Sequence, residues 1–277
     1  MIWDRSHPPQ RSIFRRLEAW VNAGAGAPEN AAQEIRLNSF IAISHDPEPA
    51  PDRCTSWLEQ AGYRVVTVCP AVGQAIPPLD SSVAGAVVFG GKYDVKMQGE
   101  LAFLRDELRF IDSVVGRDLP FLGICLGGQL LAHVLGETVD GHPEGHAEYG
   151  YYDLIATPEG GDFVGPKGLK VLQSHWHGWY GTPSGATRLA YTEAFPQQAF
   201  RYGTAAYGLQ FHPEATAATL RTWIGRRPPQ RHLLKGAYPP EKQIQDCLEF
   251  DAQLGSWFHE FLSGWIGPAR VLKEAAA

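Results

Sequence analysis

The sequence has no excess of positive charge and no long apolar run. Its 277 residues carry 24 lysines and arginines against 30 aspartates and glutamates, which gives a net charge of −6. A protein that binds nucleic acid or an acidic membrane surface usually has an excess of basic residues, which this chain lacks. No apolar stretch approaches the roughly 20 residues that span a bilayer, and the N-terminal segment lacks the apolar core of a signal peptide. We therefore predict no nucleic-acid and no membrane partner.

Cysteine is scarce as well. Cys54, Cys69, Cys125 and Cys247 are spaced too widely for a zinc site or a disulfide framework. A reducing cytoplasm, where a cysteine stays available as a thiol, is the expected location.

Cofactor motifs are also missing. The chain has neither a phosphate-binding P-loop nor a dinucleotide fingerprint ahead of a helix, so no cofactor is expected. Histidine and glutamate alternate in HPEGHAE at 142–148, but its proline and glycine would break a helix that aligned them. We predict no metal site there.

The hydrophobic pattern predicts an arm followed by one large domain. Over 1–38, apolar residues at helical spacing favour a short amphipathic helix near Ser12–Ala23, followed by the linker-like NAGAGAPENAAQ. Over 39–277, short β-branched runs alternate with helical patterns, and shorter strands follow Gly136. This alternation predicts an α/β fold with a mainly parallel sheet and helices on both faces.

The segment GICLG at 123–127 has the form of a nucleophile elbow, in which the reactive residue occupies a sharp turn between a strand and a helix. Cys125 would lie at the helix N-terminus, where the dipole and the free N–H groups favour a thiolate. The N–H of Leu126 would then face the oxyanion formed when the sulfur attacks a carbonyl carbon.

A base and an orienting carboxylate follow much later in the chain, in LQFHPE at 209–214. A spacing of two places His212 and Glu214 on one side of an extended segment. Glu214 could then hold one imidazole nitrogen while the other faces Cys125, as a Cys–His–carboxylate triad requires.

Two segments together resemble class I, triad-type glutamine amidotransferases. The likeness is strongest to free-standing proteins similar to the amidotransferase domain of GMP synthase. The two segments are GICLGGQLLAHVLG at 123–136 and YGLQFHPEAT at 207–216. Supporting segments stand in the expected order: VVFGGKYDV at 87–95, WHGWYGTPSGATRLA at 176–190 and QQAFRYG at 197–203.

The resemblance implies a flavodoxin-like fold and an enzyme that hydrolyses a γ-glutamyl amide, releasing ammonia or an amine. Cys125 would form a γ-glutamyl thioester, with His212 as base and Glu214 orienting it. The N–H groups of Gly91 and Leu126 match the family's oxyanion hole. The expected substrate contacts are Gly90, Gln129, His177, Gly178 and Trp179.

Two positions depart from the family pattern. Lys92 replaces the proline that usually follows the paired glycines, and Trp179 stands where related proteins often have aspartate.

The chain shows no nucleotide site, so a separate synthetase is a possible ammonia acceptor, and independent hydrolysis is the other expectation. Two alternatives stay open: Cys/His/Glu acyl transfer of the homoserine O-acyltransferase type, and a non-catalytic regulatory protein on the same scaffold.

Overall fold

A computed structural model describes residues 38–165 and 167–266 of the chain. The predicted N-terminal arm and its helix at Ser12–Ala23 lie outside the described residues, apart from Asn38 at the arm's end. The division into an arm and a domain therefore stays a prediction.

Within the described part of the chain, nine strands form one sheet and two short strands pair separately. The strands are β1 (Ser39–Ile43), β2 (Arg64–Val68), β3 (Val83–Val88), β4 (Phe121–Ile124), β5 (Val139–Gly141), β6 (Glu148–Ala156), β7 (Leu169–His175), β8 (His177–Trp179), β9 (Ala186–Tyr191), β10 (Ala199–Tyr202) and β11 (Ala206–Leu209). The large sheet has the order β2-β1-β3-β4-β11-β10-β9-β6-β7, and β5 pairs with β8.

Five helices cover the two faces of the sheet in the described residues. They are α1 (Arg53–Gln60), α2 (Ala102–Gly116), α3 (Leu126–Val134), α4 (Ala217–Arg226) and α5 (Pro240–Trp265). Neighbouring residues of β4 supply opposite layers of the core: Leu122 and Ile124 pack with α1, α4 and α5, whereas Phe121 packs with α2 and α3. This alternation follows from the two-residue period of a strand that is buried on both faces.

The sheet has a parallel and an antiparallel half. The pairs β1–β2, β1–β3, β3–β4 and β4–β11 are parallel, and this arrangement with its flanking helices confirms the predicted flavodoxin-like α/β fold. The strands β10, β9, β6 and β7 extend the sheet with antiparallel pairs.

One expectation about the second half was wrong. The strands after Gly136 are not uniformly shorter, since β6 has nine residues and β7 has seven. These two strands pair over their length from Glu148–His175 to Leu154–Leu169, a ladder that the glycines and prolines of the region do not interrupt.

The parallel half sets the position of the site. Strands β4 and β11 are neighbours and run in the same direction, so the residues that follow them lie at the same edge of the sheet. Ligand sites of open α/β sheets lie at this carboxyl edge. In the part of the chain that the structure describes, no helix is both long enough and apolar enough to cross a membrane.

Candidate active site

Cys125 occupies the turn between β4 and α3, as the elbow motif predicts. Its backbone has φ 51° and ψ −107°, a region that side-chain-bearing residues rarely adopt. Such conformations cost about 1–3 kcal/mol and persist where the surrounding structure enforces them. The side chain is buried, and the residue directly precedes the first turn of α3, whose N–H groups have no intrahelical acceptor. Leu126 contributes the first of these groups.

The flanking glycines are required by close backbone packing. A Cβ atom on Gly123 would collide with the carbonyl of Gly127, and one on Gly127 would collide with the carbonyl of Val88. The Cys125 N–H donates to the Leu209 carbonyl at 2.7 Å, which ties the elbow to β11. The absence of side chains at 123 and 127 is therefore what allows α3 to start so close to β3 and β4.

His212 and Glu214 lie beside Cys125 as one hydrogen-bonded pair. Nδ1 of His212 is 2.9 Å from Oε1 of Glu214. A Cβ on Gly90 would lie 2.7 Å from Cε1 of His212 and 3.3 Å from Cβ of Cys125, so the imidazole lies beside the cysteine. Burial alone lowers the pKa of His212, but the negative charges of Glu214 and Cys125 outweigh it and raise that pKa to about 10. The arrangement favours a protonated imidazole that faces the sulfur.

Glu214 lies in a segment that two helices hold in place. The N–H of Arg53 at the start of α1 donates to the Glu214 carbonyl at 3.0 Å. The Arg53 guanidinium donates to the carbonyl of Ala215 and pairs at 2.6 Å with Asp251 of α5. The carboxylate that orients His212 is thus attached to the helical layer through its own backbone.

Gln210 is a site residue that the sequence analysis missed. Its amide Nε2 donates to Sγ of Cys125 at 3.7 Å. Gln129, predicted as a substrate contact, donates through its own Nε2 to Oε1 of Gln210 at 3.1 Å and to the His177 carbonyl at 3.0 Å. The spacing that pairs His212 with Glu214 also places residue 210 on the same side, and that signal was available in the sequence.

A second buried histidine–glutamate pair supports the paired glycines after β3. His45 contacts the Gly90 carbonyl through Nδ1 at 3.1 Å and Glu107 through Nε2 at 3.0 Å. A Cβ on Gly91 would lie 2.7 Å from the Cβ of His45, and one on Gly90 would lie 2.7 Å from Cε1 of His212. Gly90 therefore lies against His212, and Gly91, which is exposed and is a predicted member of the oxyanion hole, lies against His45.

The substituted position in this loop is on the protein surface. Lys92 is exposed, and its Nζ lies 5.6 Å from the centre of the Tyr93 ring.

The three remaining predicted contacts follow β7. His177 pairs with Asp94 at 3.0 Å, and burial lowers the pKa of His177, although Asp94 acts in the opposite direction. Gly178 lies near Gln210, since a Cβ there would be 3.7 Å from the Gln210 Oε1. Trp179 is fully buried and packs edge-on against Phe200 with ring centres 5.4 Å apart. Its side chain belongs to the core.

The histidine-rich segment at 142–148 has other contacts. Glu144 pairs with Lys235 at 2.8 Å, and Glu148 binds the buried His175 at 3.0 Å. The second nitrogen of His175 contacts the carbonyl of His177 at 2.9 Å. This further buried histidine–glutamate pair therefore supports the segment that carries Gly178.

Two of the other cysteines lie in environments that suppress reactivity. Burial raises the pKa of the Cys54 thiol well above its ordinary value and also raises that of Cys247. A thiol must ionise to act as a nucleophile, so neither competes with Cys125 at neutral pH.

Comparisons with known proteins agree with this geometry. The profile of the family described as glutamine amidotransferase class-I matches residues 57–225. The glutamine amidotransferase-like protein YfeJ of Salmonella typhimurium is 31% identical over 188 residues, covering 66% of this chain and 78% of that protein. One of the subunits of a glutamine-hydrolysing GMP synthase from Thermococcus kodakarensis is 35% identical over 130 residues, covering 46% of this chain and 65% of its own length.

A solved structure is similar over nearly its whole length. A glutamine amidotransferase from Thermotoga maritima superposes with a TM-score of 0.73 at 26% identity, covering 84% of this chain and 99% of the other. The matched profile spans more than half of the chain and includes both the elbow and the His212 segment. The chain belongs to the class-I glutamine amidotransferase family.

Proposed function

We propose that this protein hydrolyses a γ-glutamyl amide, either glutamine or a related γ-glutamyl compound, through a thioester on Cys125. The observation that carries the proposal is the strained Cys125 turn beside the imidazole of His212, whose Nδ1 is 2.9 Å from Glu214. Family membership supplies the general reaction, glutamine hydrolysis. The residues' roles, the thioester and the substrate range are the proposal.

Acylation begins from the ion pair of a Cys125 thiolate and a protonated His212. The sulfur attacks the side-chain carbonyl carbon, and the negative oxygen that forms is bound by the N–H groups of Leu126 and Gly91. His212 gives its proton to the leaving nitrogen, the C–N bond breaks, and ammonia or an amine departs. Cys125 then carries a γ-glutamyl thioester.

Deacylation uses the same groups in the reverse order. Neutral His212 takes a proton from water, and the resulting hydroxide attacks the thioester carbon. The C–S bond breaks, glutamate leaves, and the thiolate faces a protonated imidazole again. Glu214 keeps Nδ1 of His212 occupied, so that only one nitrogen exchanges protons with the substrate.

A separate synthetase is the proposed partner when ammonia is the product. Support comes from the similarity to the Thermococcus kodakarensis protein, which is one part of a GMP synthase. The chain covers less than two thirds of that protein, so the acceptor and the docking are proposals. Independent hydrolysis of a γ-glutamyl amine is the other form of the same chemistry. A reducing compartment such as the cytoplasm suits either form, because Cys125 must stay a thiol.

The test measures glutamate released by the pure full-length protein from glutamine, glutathione and several γ-glutamyl amines, with and without cell extract. We expect release from at least one substrate, on the order of 1 per second where the oxyanion hole is preformed. The protein with Cys125→Ser should release glutamate about a thousandfold more slowly, or not at all. Glutamate release at an equal rate by that variant would contradict the proposal.

The same assay separates the alternatives. Consumption of an acyl-CoA without glutamate release would indicate acyl transfer instead. Strong stimulation by extract would favour a docked synthetase over independent hydrolysis.

A further inference from the structure

The last turns of α4 pack on His212, and the segment that follows this helix carries two arginines. Trp223 contacts His212 with ring centres 4.7 Å apart. The backbone N–H of Arg227 donates to the Trp223 carbonyl at 2.9 Å, so Arg227 lies one helical turn beyond that contact. Arg231 follows in a short 3₁₀ helix at Pro229–Leu233.

Arg227 is half-buried and has only neutral partners. Its guanidinium donates to Ser174 Oγ at 3.0 Å and to Gln243 Oε1 at 3.2 Å, and it lies 3.9 Å from the centre of the Tyr149 ring. These hydrogen bonds use two of the five N–H donors of a guanidinium. Burial lowers the pKa of Arg227, and only Tyr149 and Tyr152 act against it. Among the described residues, no carboxylate compensates this charge.

Arg231 shows the same pattern nearby. Its guanidinium lies 3.7 Å from the centre of the Trp176 ring, and its charge acts on His177. No ion pair joins Arg231 to a carboxylate of the described residues. The acidic side chains close to His177 are already engaged, because Asp94 pairs with His177 and Asp140 pairs with Lys96.

Tyr149 lies beneath Arg227 and is paired across the β6–β7 ladder with Ser174, which Arg227 also contacts. Trp176, which Arg231 covers, follows Ser174 by two residues. The charges of Arg227, Arg231 and Cys125 all act on the Tyr149 hydroxyl. Burial raises the pKa of Tyr149 to about 12, so the hydroxyl keeps its proton at neutral pH and is available to donate. This buried hydroxyl has no hydrogen-bond partner among the described residues.

Two uncompensated guanidinium groups and a buried donor hydroxyl favour an anion between them. A half-buried cation without a counter-charge is unfavourable, and an arriving carboxylate removes that cost. The planar fork of arginine matches a carboxylate in shape and charge, and such charge-assisted hydrogen bonds are among the strongest in proteins.

We infer that Arg227 and Arg231, with the hydroxyl of Tyr149, form an anion subsite next to Cys125 that binds a carboxylate of the γ-glutamyl substrate. The inference rests on the proposed function for the identity of that substrate. The carboxylate is either the α-carboxylate of the glutamyl group or an acid group on the departing amine, and both have the same chemistry.

The test uses binding rather than turnover, so it can be read even if hydrolysis is not detected. Calorimetric titration of the full-length Cys125→Ser protein measures affinity for two matched pairs of compounds. Glutaramate and glutaramide differ only in a carboxylate at the α end. γ-Glutamylglycine and γ-glutamylglycinamide differ only in a carboxylate on the departing amine.

We expect the acid of one pair to bind roughly tenfold more tightly than its amide, which is the usual scale of a charge-assisted contact. The pair that shows the preference identifies which carboxylate is bound. Adding Arg231→Met or Arg227→Met should abolish the preference. Arg226→Met is the matched control and should retain it, because Arg226 is exposed and pairs with Asp46 on the surface.

Arg227 also links β7 to α5, so its variant is checked by thermal unfolding. If Arg227→Met does not fold, Arg231→Met decides the test. The Arg231 side chain makes no hydrogen bond within the described residues, so its replacement should not disturb the fold. Equal affinities for acid and amide in both pairs would overturn the inference. A preference that survives Arg231→Met would overturn it as well. Either result leaves hydrolysis by Cys125 standing.

Discussion

His212–Glu214 and His175–Glu148 are buried pairs of the same chemistry in two regions of the molecule. Their N–O distances are 2.9 and 3.0 Å. In the first pair, which follows parallel strand β11, the free imidazole nitrogen faces a thiol. In the second pair, within the antiparallel half, the other nitrogen contacts the carbonyl of His177 at 2.9 Å.

The difference shows that the second contact decides the role of such a pair. A histidine with both nitrogens bound to protein groups cannot exchange a proton with a substrate, so it holds structure in place. His45 is a further example, because it joins Glu107 to the Gly90 carbonyl. Of these three histidines, only His212 has the contacts of a base, and the following predictions test that division.

Removal of the nucleophile should have the largest effect. Cys125→Ser should reduce glutamate release by about a thousandfold or more without unfolding the protein, because the change is small in volume. A diazo or chloroketone analogue of glutamine should label Cys125, as peptide mass spectrometry can show. Cys247→Ser is the control and should retain activity. Labelling of Cys54, Cys69 or Cys247 with Cys125 untouched would refute the assignment.

Removal of the base should cost nearly as much, and removal of its orienting group should cost less. His212→Ala should be close to inactive, whereas Glu214→Gln should keep a measurable rate, because a poorly held imidazole still abstracts some protons. The double variant should be hardly slower than His212→Ala. Multiplicative losses in kcat would mean that the two residues act in separate steps. His175→Ala should lose stability while retaining far more activity than His212→Ala.

The buried pairs His45–Glu107 and His175–Glu148 should affect different kinetic constants. Glu107→Gln should lower kcat about tenfold, because the weakened contact to His45 leaves the loop with the proposed oxyanion-hole residue Gly91 less well fixed. Glu148→Gln should raise KM instead, since His175 supports the segment of His177 and Gly178. Steady-state kinetics on the best γ-glutamyl substrate distinguishes the two outcomes. Equal effects of both variants on kcat would contradict the separation.

The smallest expected effect is a dependence of stability on pH. The pKa of His212 is raised in the folded protein, so the unfolded chain loses this proton first as the pH rises. The contribution is therefore complete below the unfolded pKa of about 6.5 and is lost as the pH rises towards 10. Urea midpoints at about pH 7 and about pH 9 should differ more for the wild type than for Glu214→Gln. An equal difference in both proteins would show that Glu214 does not hold the proton.

The local motifs of the parallel half could be predicted from sequence, and the tertiary contacts of the site could not. The turn at Cys125 and the strands on either side follow from glycine spacing and hydrophobic runs. The partners of His45 and Arg227 lie 62 and 53 positions away, on strands and helices that no local pattern connects. The predicted substrate contact at Trp179 rests on its position in the motif, and its burial against Phe200 is a tertiary contact that the motif does not indicate.

We propose that Cys125 carries a γ-glutamyl group during the reaction. Peptide mass spectrometry of the protein, acid-quenched within the first turnovers of its best substrate, tests this directly. We expect one γ-glutamyl group on the peptide that contains Cys125, and more of it in the Glu214→Gln variant, in which deacylation slows. Glutamate release with no acyl group on Cys125 in either protein, or with the group on another cysteine, would refute a thioester at Cys125.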